Sequence, residues 1–189
     1  MVFHHVGYEV EVDIHSGCSV LPKARNEIVQ RFLDSEFDVL LFVDSDMVWN
    51  PVTAVKLIES EQEFSACAYR QKSEDVLFHC VTKESGDWVS ADSVGTGFIA
   101  VKREVFLKMI DAYPEPHSVA PGKTYQALEY FELFEGRYWG EDYNFCRKWK
   151  AIGGDIQVMT DATIKHVGSK AYSGNYQEYL GGIKERVKE

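Results

Sequence analysis

The chain has 189 residues, 45% hydrophobic and 26% charged, proportions that suit one globular domain with a sizeable core and leave little room for a second. Its formal net charge of −10 excludes the basic footprint of a nucleic-acid binder and works against adsorption to anionic lipid. An anionic ligand stays accessible to such a chain when a divalent cation lies between them.

Cys18, Cys67, Cys80 and Cys146 form no Cys-x-x-Cys pair, which argues against a zinc knuckle. Cys67 and Cys146 sit in apolar patterns and read as buried thiols, and reduced thiols suit a cytoplasmic protein. No apolar run approaches the ~18 residues of a membrane span, and the first residues lack a basic stretch leading into an apolar one. The expectation is one domain over residues 1–189, without membrane insertion or a signal peptide.

In chain order, Tyr8–Ile14 alternates, with Val10, Val12 and Ile14 on one side and Glu9, Glu11 and Asp13 on the other, which predicts a half-exposed strand. Pro22 opens a helix with Ala24, Ile28, Val29, Phe32 and Leu33 on one face. Asp38–Val43 is a continuous apolar run that predicts a strand buried on both faces of a parallel sheet. Asn50-Pro51 starts a helix running to about Ser60. Phe64–Tyr69 predicts a second buried strand; Val76–Val81 and Trp88–Ala91 predict shorter, more exposed ones. Val94–Val101 is a strand interrupted by glycine, followed by a helix over about Arg103–Ala112. Residues 113–138 carry prolines and many aromatics and predict a long irregular segment, usually a functional feature in a compact domain. A helix from Glu141 to about Ile152 ends at Gly153-Gly154. Short extended pieces follow at Ile156–Met159 and Thr163–His166, then a Tyr- and Gly-rich tail. Strands alternating with helices predict an α/β sandwich with a largely parallel central sheet.

Four groups of residues carry candidate chemistry. Asp44-Ser45-Asp46 ends the first buried run. Strand alternation puts the two carboxylates on one side, at the sheet edge where open α/β folds bind ligands. Two such charges ~4 Å apart repel by about 4 kcal/mol at an effective dielectric near 20, and a magnesium or manganese ion removes that penalty. In isolation the pair reads first as turn aspartates capping a strand; behind the apolar run Val39–Val43 the reading moves toward a metal site. Gly95-Thr96-Gly97 marks either a plain bulge or a close approach of a sugar or acceptor to the backbone. Trp139-Gly140-Glu141-Asp142 puts two acids in a first helical turn, where they complement the helix dipole or supply a general base. His166 is either a satisfied strand-end histidine or a ligand completing a cation shell begun by Asp46, with Lys170 close enough in sequence to neutralise a phosphate.

Taken in order, these groups resemble the motifs of GT-A fold glycosyltransferases. Val39–Asp46 resembles the Asp-x-Asp segment, Gly95-Thr96-Gly97 the glycine loop, Gly140-Glu141-Asp142 the x-Glu-Asp motif, and His166 the C-terminal metal-binding histidine. Pro22-Lys-Ala-Arg25-Asn26 is similar to the Pro-x-Ala-Arg-Asn helix start of these enzymes. The resemblance spans about residues 8–170 and implies a GT-A-like, Rossmann-like αβα sandwich. It implies transfer of a sugar from a nucleoside diphosphate donor to a hydroxyl of a glycan or glycoconjugate, with Mn2+ or Mg2+ as cofactor. Asp46 and His166 would bind the metal, with Asp44 on the donor ribose or the metal's water shell. Arg25 and Asn26 would help position the nucleotide, and Lys170 the diphosphate. Gly95, Thr96, Gly97, Trp139 and Gly140 would line the substrate. Asp142 would be the base of an inverting enzyme and Glu141 would hold the acceptor.

The family normally opens with a buried strand and helix ahead of the strand that Tyr8–Ile14 resembles, and only Met1–Gly7 precedes it here. The resemblance therefore implies an N-terminally truncated domain with an incomplete nucleobase pocket and an exposed sheet edge that invites self-association into a homo-oligomer. Two rival classes remain: a nucleotidyltransferase, and a sugar-nucleotide-binding remnant without catalysis.

Overall fold

Helices, two of them opened by proline, alternate with β-branched and aromatic runs, and that alternation sets the element order in a computed structural model that describes residues 3, 7–82, 85–114, 132–134 and 137–186. The elements are α1 (Leu21–Leu33), β1 (Val39–Val43), β2 (Met47–Val48), α2 (Pro51–Glu59), β3 (Phe64–Cys67), β4 (Cys80–Val81), β5 (Trp88–Ser90), β6 (Ser93–Val94), β7 (Phe98–Lys102) and α3 (Arg103–Ala112). After these come β8 (Glu132–Phe134), β9 (Arg137–Trp139), α4 (Glu141–Ala151), β10 (Gln157–Met159), β11 (Lys165–Val167), β12 (Ala171–Tyr172) and α5 (Tyr176–Arg186). The chain divides into two units, Met1–Leu40 with Val101–Gly154 and Leu41–Ala100 with Asp155–Glu189, so the division passes through β1 and β7.

The first unit holds α1, α3, α4 and the β8–β9 hairpin. Helix α1 buries Pro22, Ala24, Val29 and Phe32, and with them Arg25 and Asn26. Phe32 meets Phe106 edge-on at 5.8 Å, and Phe106 stacks on Phe145 at 6.0 Å. The C-terminus of α1 leaves carbonyls without helical partners, and Arg103 answers them: its guanidinium donates to the carbonyls of Phe32, Leu33, Ser35 and Phe37. Gly153, with φ at +89°, ends α4, a left-handed position that glycine occupies without steric cost.

The second unit holds a five-stranded sheet of order β1-β7-β3-β10-β5. Strand β10 runs parallel to β3, pairing Val158 with Ala66, and antiparallel to β5, pairing Val158 with Val89. The smaller sheet β12-β11-β2 is antiparallel, as is the β4–β6 pair. The architecture is thus mixed α/β, with parallel pairing at β3–β10 and reversal at β5. Helix α2 begins as expected, the Asn50 side-chain oxygen accepting the Val52 N–H at 3.0 Å. Its last carbonyls are reached from below by the buried Ser65 hydroxyl, which donates to Leu57 at 3.1 Å.

Several expectations need correction. Tyr8–Ile14 is not a strand; Val12 and Ile14 are 74% and 83% exposed. Its alternation defines two faces, but a strand is held by a ladder partner, and no strand pairs with it among the described residues. Strand β1 is not buried on both faces: it lies at the sheet edge, and Val43 is 37% exposed. Full burial belongs to β3, all four residues of which are buried. Gly95-Thr96-Gly97 breaks the expected single strand into β6 and β7. Of Val76–Val81 only Cys80–Val81 forms a strand. The glycine-bearing tail forms α5, anchored by Tyr176, which is buried against Phe78 at 5.0 Å. Within the segment expected to be irregular, β8 and β9 pair as a hairpin, while residues 115–131 lie outside those described. No helix among the described residues is long and apolar enough to cross a membrane.

Replacing Arg103 with Met removes the donors from four carbonyls, together with the guanidinium that lies 4.7 Å from the Phe32 ring centroid, and should cost about 2–3 kcal/mol. Urea unfolding checks this; an unchanged midpoint would mean that water satisfies the end of α1 equally well.

Candidate functional site

The turn after β1 organises the chemistry of the second unit. Strand β1 stops at Val43, and the Met47 N–H returns to the Asp44 carbonyl at 3.0 Å. Asp44 and Asp46 therefore lie in a tight turn, where the two-residue alternation of a strand no longer applies. The Asp44 N–H donates to the Gly97 carbonyl at 2.9 Å, and the Val167 N–H donates to the Asp46 carbonyl at 2.8 Å. Strand β11 pairs with β2 so that His166 faces Met47. These bonds bring His166 Nε2 to 3.4 Å from Asp46 Oδ2.

His166 Nδ1 lies 2.9 Å from the Arg70 carbonyl. A carbonyl only accepts, so Nδ1 carries a proton, and when the ring is neutral its Nε2 lone pair faces Asp46. Lys72 Nζ lies 2.5 Å from the same Asp46 oxygen. Burial pushes the Asp46 carboxyl up, but the hydrogen bond from Lys72, the charge that His166 carries when protonated and the Lys72 charge outweigh it and hold the group below its ordinary 3.8.

Asp46 and His166 are thus a pair, and Asp44 does not complete a trio: no three His, Cys, Asp or Glu side chains gather into a metal-holding group among the described residues. Two ligands about 2.1 Å from one cation and at right angles to each other lie ~3 Å apart, close to the separation of Asp46 and His166. A carboxylate oxygen and an imidazole nitrogen suit Mn2+ better than Mg2+. Such a two-ligand set leaves the rest of the shell to water and substrate phosphate, and on these terms the residues fit a divalent cation.

The glycine turn makes its closest approach to a side chain of the protein itself. The Gly97 N–H donates to the Tyr69 hydroxyl at 3.1 Å. A Cβ at Gly97 would fall 2.8 Å from Met47 Cε and 2.9 Å from Asp44 Oδ2, and one at Gly95 would collide with the Tyr69 hydroxyl. Thr96 between them is 2% exposed, and its hydroxyl has no hydrogen-bond partner among the described residues. Tyr69 packs against His79 at 5.1 Å and edge-on to His166 at 5.2 Å. Burial, and then the charge of His166, lower the His79 pKa.

Lys170 does not stand free for a phosphate: its ammonium reaches both Glu74 carboxylate oxygens, at 2.7 and 2.8 Å. Tyr69, Arg70, Lys72 and Glu74 are neighbours of the Asp46–His166 pair and its flanking turns that the sequence patterns did not single out. A groove of about 470 Å3 in the same unit, lined among others by Glu59, Asp87, Trp88 and Asp161, contains none of the expected site residues.

The x-Glu-Asp group lies in the first unit. Gly140 caps α4 in extended backbone, φ −67° and ψ 163°, a conformation open to other residues and not a tight turn that demands glycine. The Asp142 carboxylate accepts its neighbour's N–H, from Tyr143, at 2.7 Å. Burial pushes Asp142 up to about 6, aided by the Glu141 charge and opposed by the Tyr143 N–H and the Arg25 charge. Arg25 and Asn26 are 4% and 3% exposed, and the charge of Arg25 acts on Asp142, where the resemblance implies a role toward the nucleotide. Trp139 meets Tyr143 at 6.3 Å in a T-shaped contact.

No family model matches the chain, and no curated protein matches it. Among solved structures it is similar to the crystal structure of A197 from STIV, with a TM-score of 0.52 and 17% identity over 80% of this chain and 69% of that one. At that identity the likeness is one of fold alone.

The raised Asp142 pKa has a consequence for stability. The folded chain holds this proton more tightly than the unfolded chain, so stability falls as pH rises from the ordinary 3.8 to about 6 and the full cost persists above that. Asp142→Asn keeps an oxygen to accept the Tyr143 N–H and removes the charge. Its melting temperature should exceed wild type at pH 7.5, with the gain vanishing below pH 4; a gain independent of pH would show that burial of the charge is not its source.

Proposed function

We propose that this chain is a metal-dependent glycosyltransferase of the GT-A kind, moving a sugar from a nucleoside diphosphate donor to a hydroxyl acceptor. The observation that supports this most is the pairing of Asp46 and His166 at 3.4 Å, with His166 oriented by the Arg70 carbonyl. Histidine ligands characteristically donate their other ring N–H to such a partner. In this reading the parallel β3–β10 pair belongs to the core of a GT-A-like αβα sandwich with a largely parallel central sheet.

Asp46 and His166 hold the cation, Mn2+ in preference to Mg2+, and Asp44 takes the donor ribose or the metal's water shell. When bound, the cation supplies positive charge against the leaving nucleoside diphosphate. Asp142 is the base: at neutral pH a carboxyl near 6 is mostly ionised yet basic enough to accept a proton as the acceptor hydroxyl attacks. The acceptor oxygen bonds to the anomeric carbon, the bond from that carbon to the diphosphate oxygen breaks, and the electron pair leaves with the diphosphate. Glu141 holds the acceptor, Arg25 tempers the basicity of Asp142, and Trp139 offers an aromatic face to a sugar ring.

Two substitutions test the assignment against a panel of nucleotide sugars. Asp46→Asn should abolish Mn2+-stimulated donor binding, read by calorimetry, without loss of fold. Asp142→Asn should bind donor normally and turn over ~100-fold or more slowly, the usual scale for loss of a general base. In wild type, kcat should decline as pH falls through about 6. Undiminished nucleotide affinity in the Asp46 variant sinks the metal assignment, and near-normal turnover in the Asp142 variant sinks the base. Donor binding with no transfer or hydrolysis in wild type would favour a binding remnant.

A further inference from the structure

The segment after β3 is tied to both Asp46 and His166, through Lys72 and the Arg70 carbonyl. The Arg70 guanidinium donates to the carbonyls of Ser73, Glu74 and Asp75, at 3.1, 2.9 and 3.3 Å, and the Gln71 N–H donates to Leu77 at 2.8 Å. Glu74 is tied to Lys170 across the β11–β12 turn. The Lys72 stem passes Gly168, where a Cβ would approach Lys72 Cδ to 3.2 Å. These contacts deliver the ammonium to Asp46 Oδ2, 2.5 Å away, on the same oxygen that His166 faces. The ammonium thus occupies the carboxylate oxygen that a cation held by Asp46 and His166 would use.

Resting on the proposed cation site, we infer that Lys72 is its resident counter-ion, and that it passes from Asp46 to the donor's diphosphate when a divalent cation takes the carboxylate. Both partners are 37% exposed, and an ion pair so open to water contributes little net stability, so it exchanges readily. A cation arriving alone must displace the ammonium and then sit beside a positive charge left without a partner. A cation arriving with a diphosphate supplies that partner, because the freed ammonium bonds phosphate oxygens as a point charge. Lys72 therefore weakens binding of the cation by itself and strengthens binding of the diphosphate once the cation is in place, and by linkage each ligand raises affinity for the other.

Those two effects have opposite signs, which separates them from simple damage to the site. The probes are Mn2+ alone, followed by electron paramagnetic resonance of the free ion, and inorganic pyrophosphate at saturating Mn2+, followed by calorimetry. Pyrophosphate avoids any dependence on the nucleobase. Lys72→Met should bind Mn2+ alone roughly five- to tenfold more tightly than wild type, and pyrophosphate with Mn2+ roughly tenfold more weakly. Lys72→Arg, which keeps the charge, should hold both affinities within about threefold of wild type. If Lys72→Met leaves both affinities unchanged, or shifts both the same way, Lys72 is not the exchanging cation, although the metal assignment survives. If wild type and variant alike take up no Mn2+, with or without pyrophosphate, this inference and the proposed function fall together.

Discussion

Asp46 is held twice, and the local structure of its unit follows from that. Its backbone carbonyl accepts the Val167 N–H, which joins the turn after β1 to the small β12-β11-β2 sheet. Its carboxylate meets a lysine from the segment after β3 and a histidine from β11. A partly buried carboxylate needs positive charge or hydrogen-bond donors around it. Here that need is met by residues 26 and 120 positions further along the chain, so the carboxylate gathers distant segments. The Asp44 N–H bond to Gly97 adds the glycine turn to the same assembly.

The two acids given chemical roles are tuned in opposite directions by their surroundings. Lys72 and, when protonated, His166 overcome the burial of Asp46 and keep it ionised, the state that the proposed role as a metal ligand requires. Asp142 is dominated by burial, with Glu141 adding a like charge and the Tyr143 N–H and Arg25 giving only partial relief. Under the proposed function, environments that push like groups apart would separate an obligate anion from a proton acceptor working near neutral pH.

Tyr69 explains why two glycines interrupt the sheet. Its hydroxyl accepts the Gly97 N–H and occupies the space a side chain at Gly95 or Gly97 would need. Its ring also supports His166 from the side, while the Arg70 carbonyl orients the imidazole through Nδ1. The glycines thus serve the histidine indirectly, by letting the aromatic ring that buttresses it come close to the backbone.

Local chemistry made much of this legible from the sequence. Pro22 and Asn50-Pro51 mark helix starts because proline's fixed φ and asparagine's capping oxygen act within one turn. Phe64–Cys67 declares a buried strand by its composition, and α3 occupies Arg103–Ala112 as its pattern predicts. Asp46, His166 and Asp142 stood out as residue types able to do chemistry. Partnership was not legible. The alternation of Val10, Val12 and Ile14 carries no information about a neighbouring strand, and Tyr8–Ile14 has none among the described residues. The edge position of β1 depends on which strands pair. The strand rule that aligned Asp44 with Asp46 lapsed because the Gly97 carbonyl and β11 draw the chain into a turn. Nothing in Arg70-Gln-Lys-Ser-Glu-Asp75 distinguishes Lys72 from a solvated lysine. The sequence by itself determined which residues could carry charge, cap a helix or fill a core, because those properties reside in single side chains and short periods. Only the tertiary structure decided which charges meet, because a contact between positions 46, 72 and 166 is made by the path of the whole chain between them.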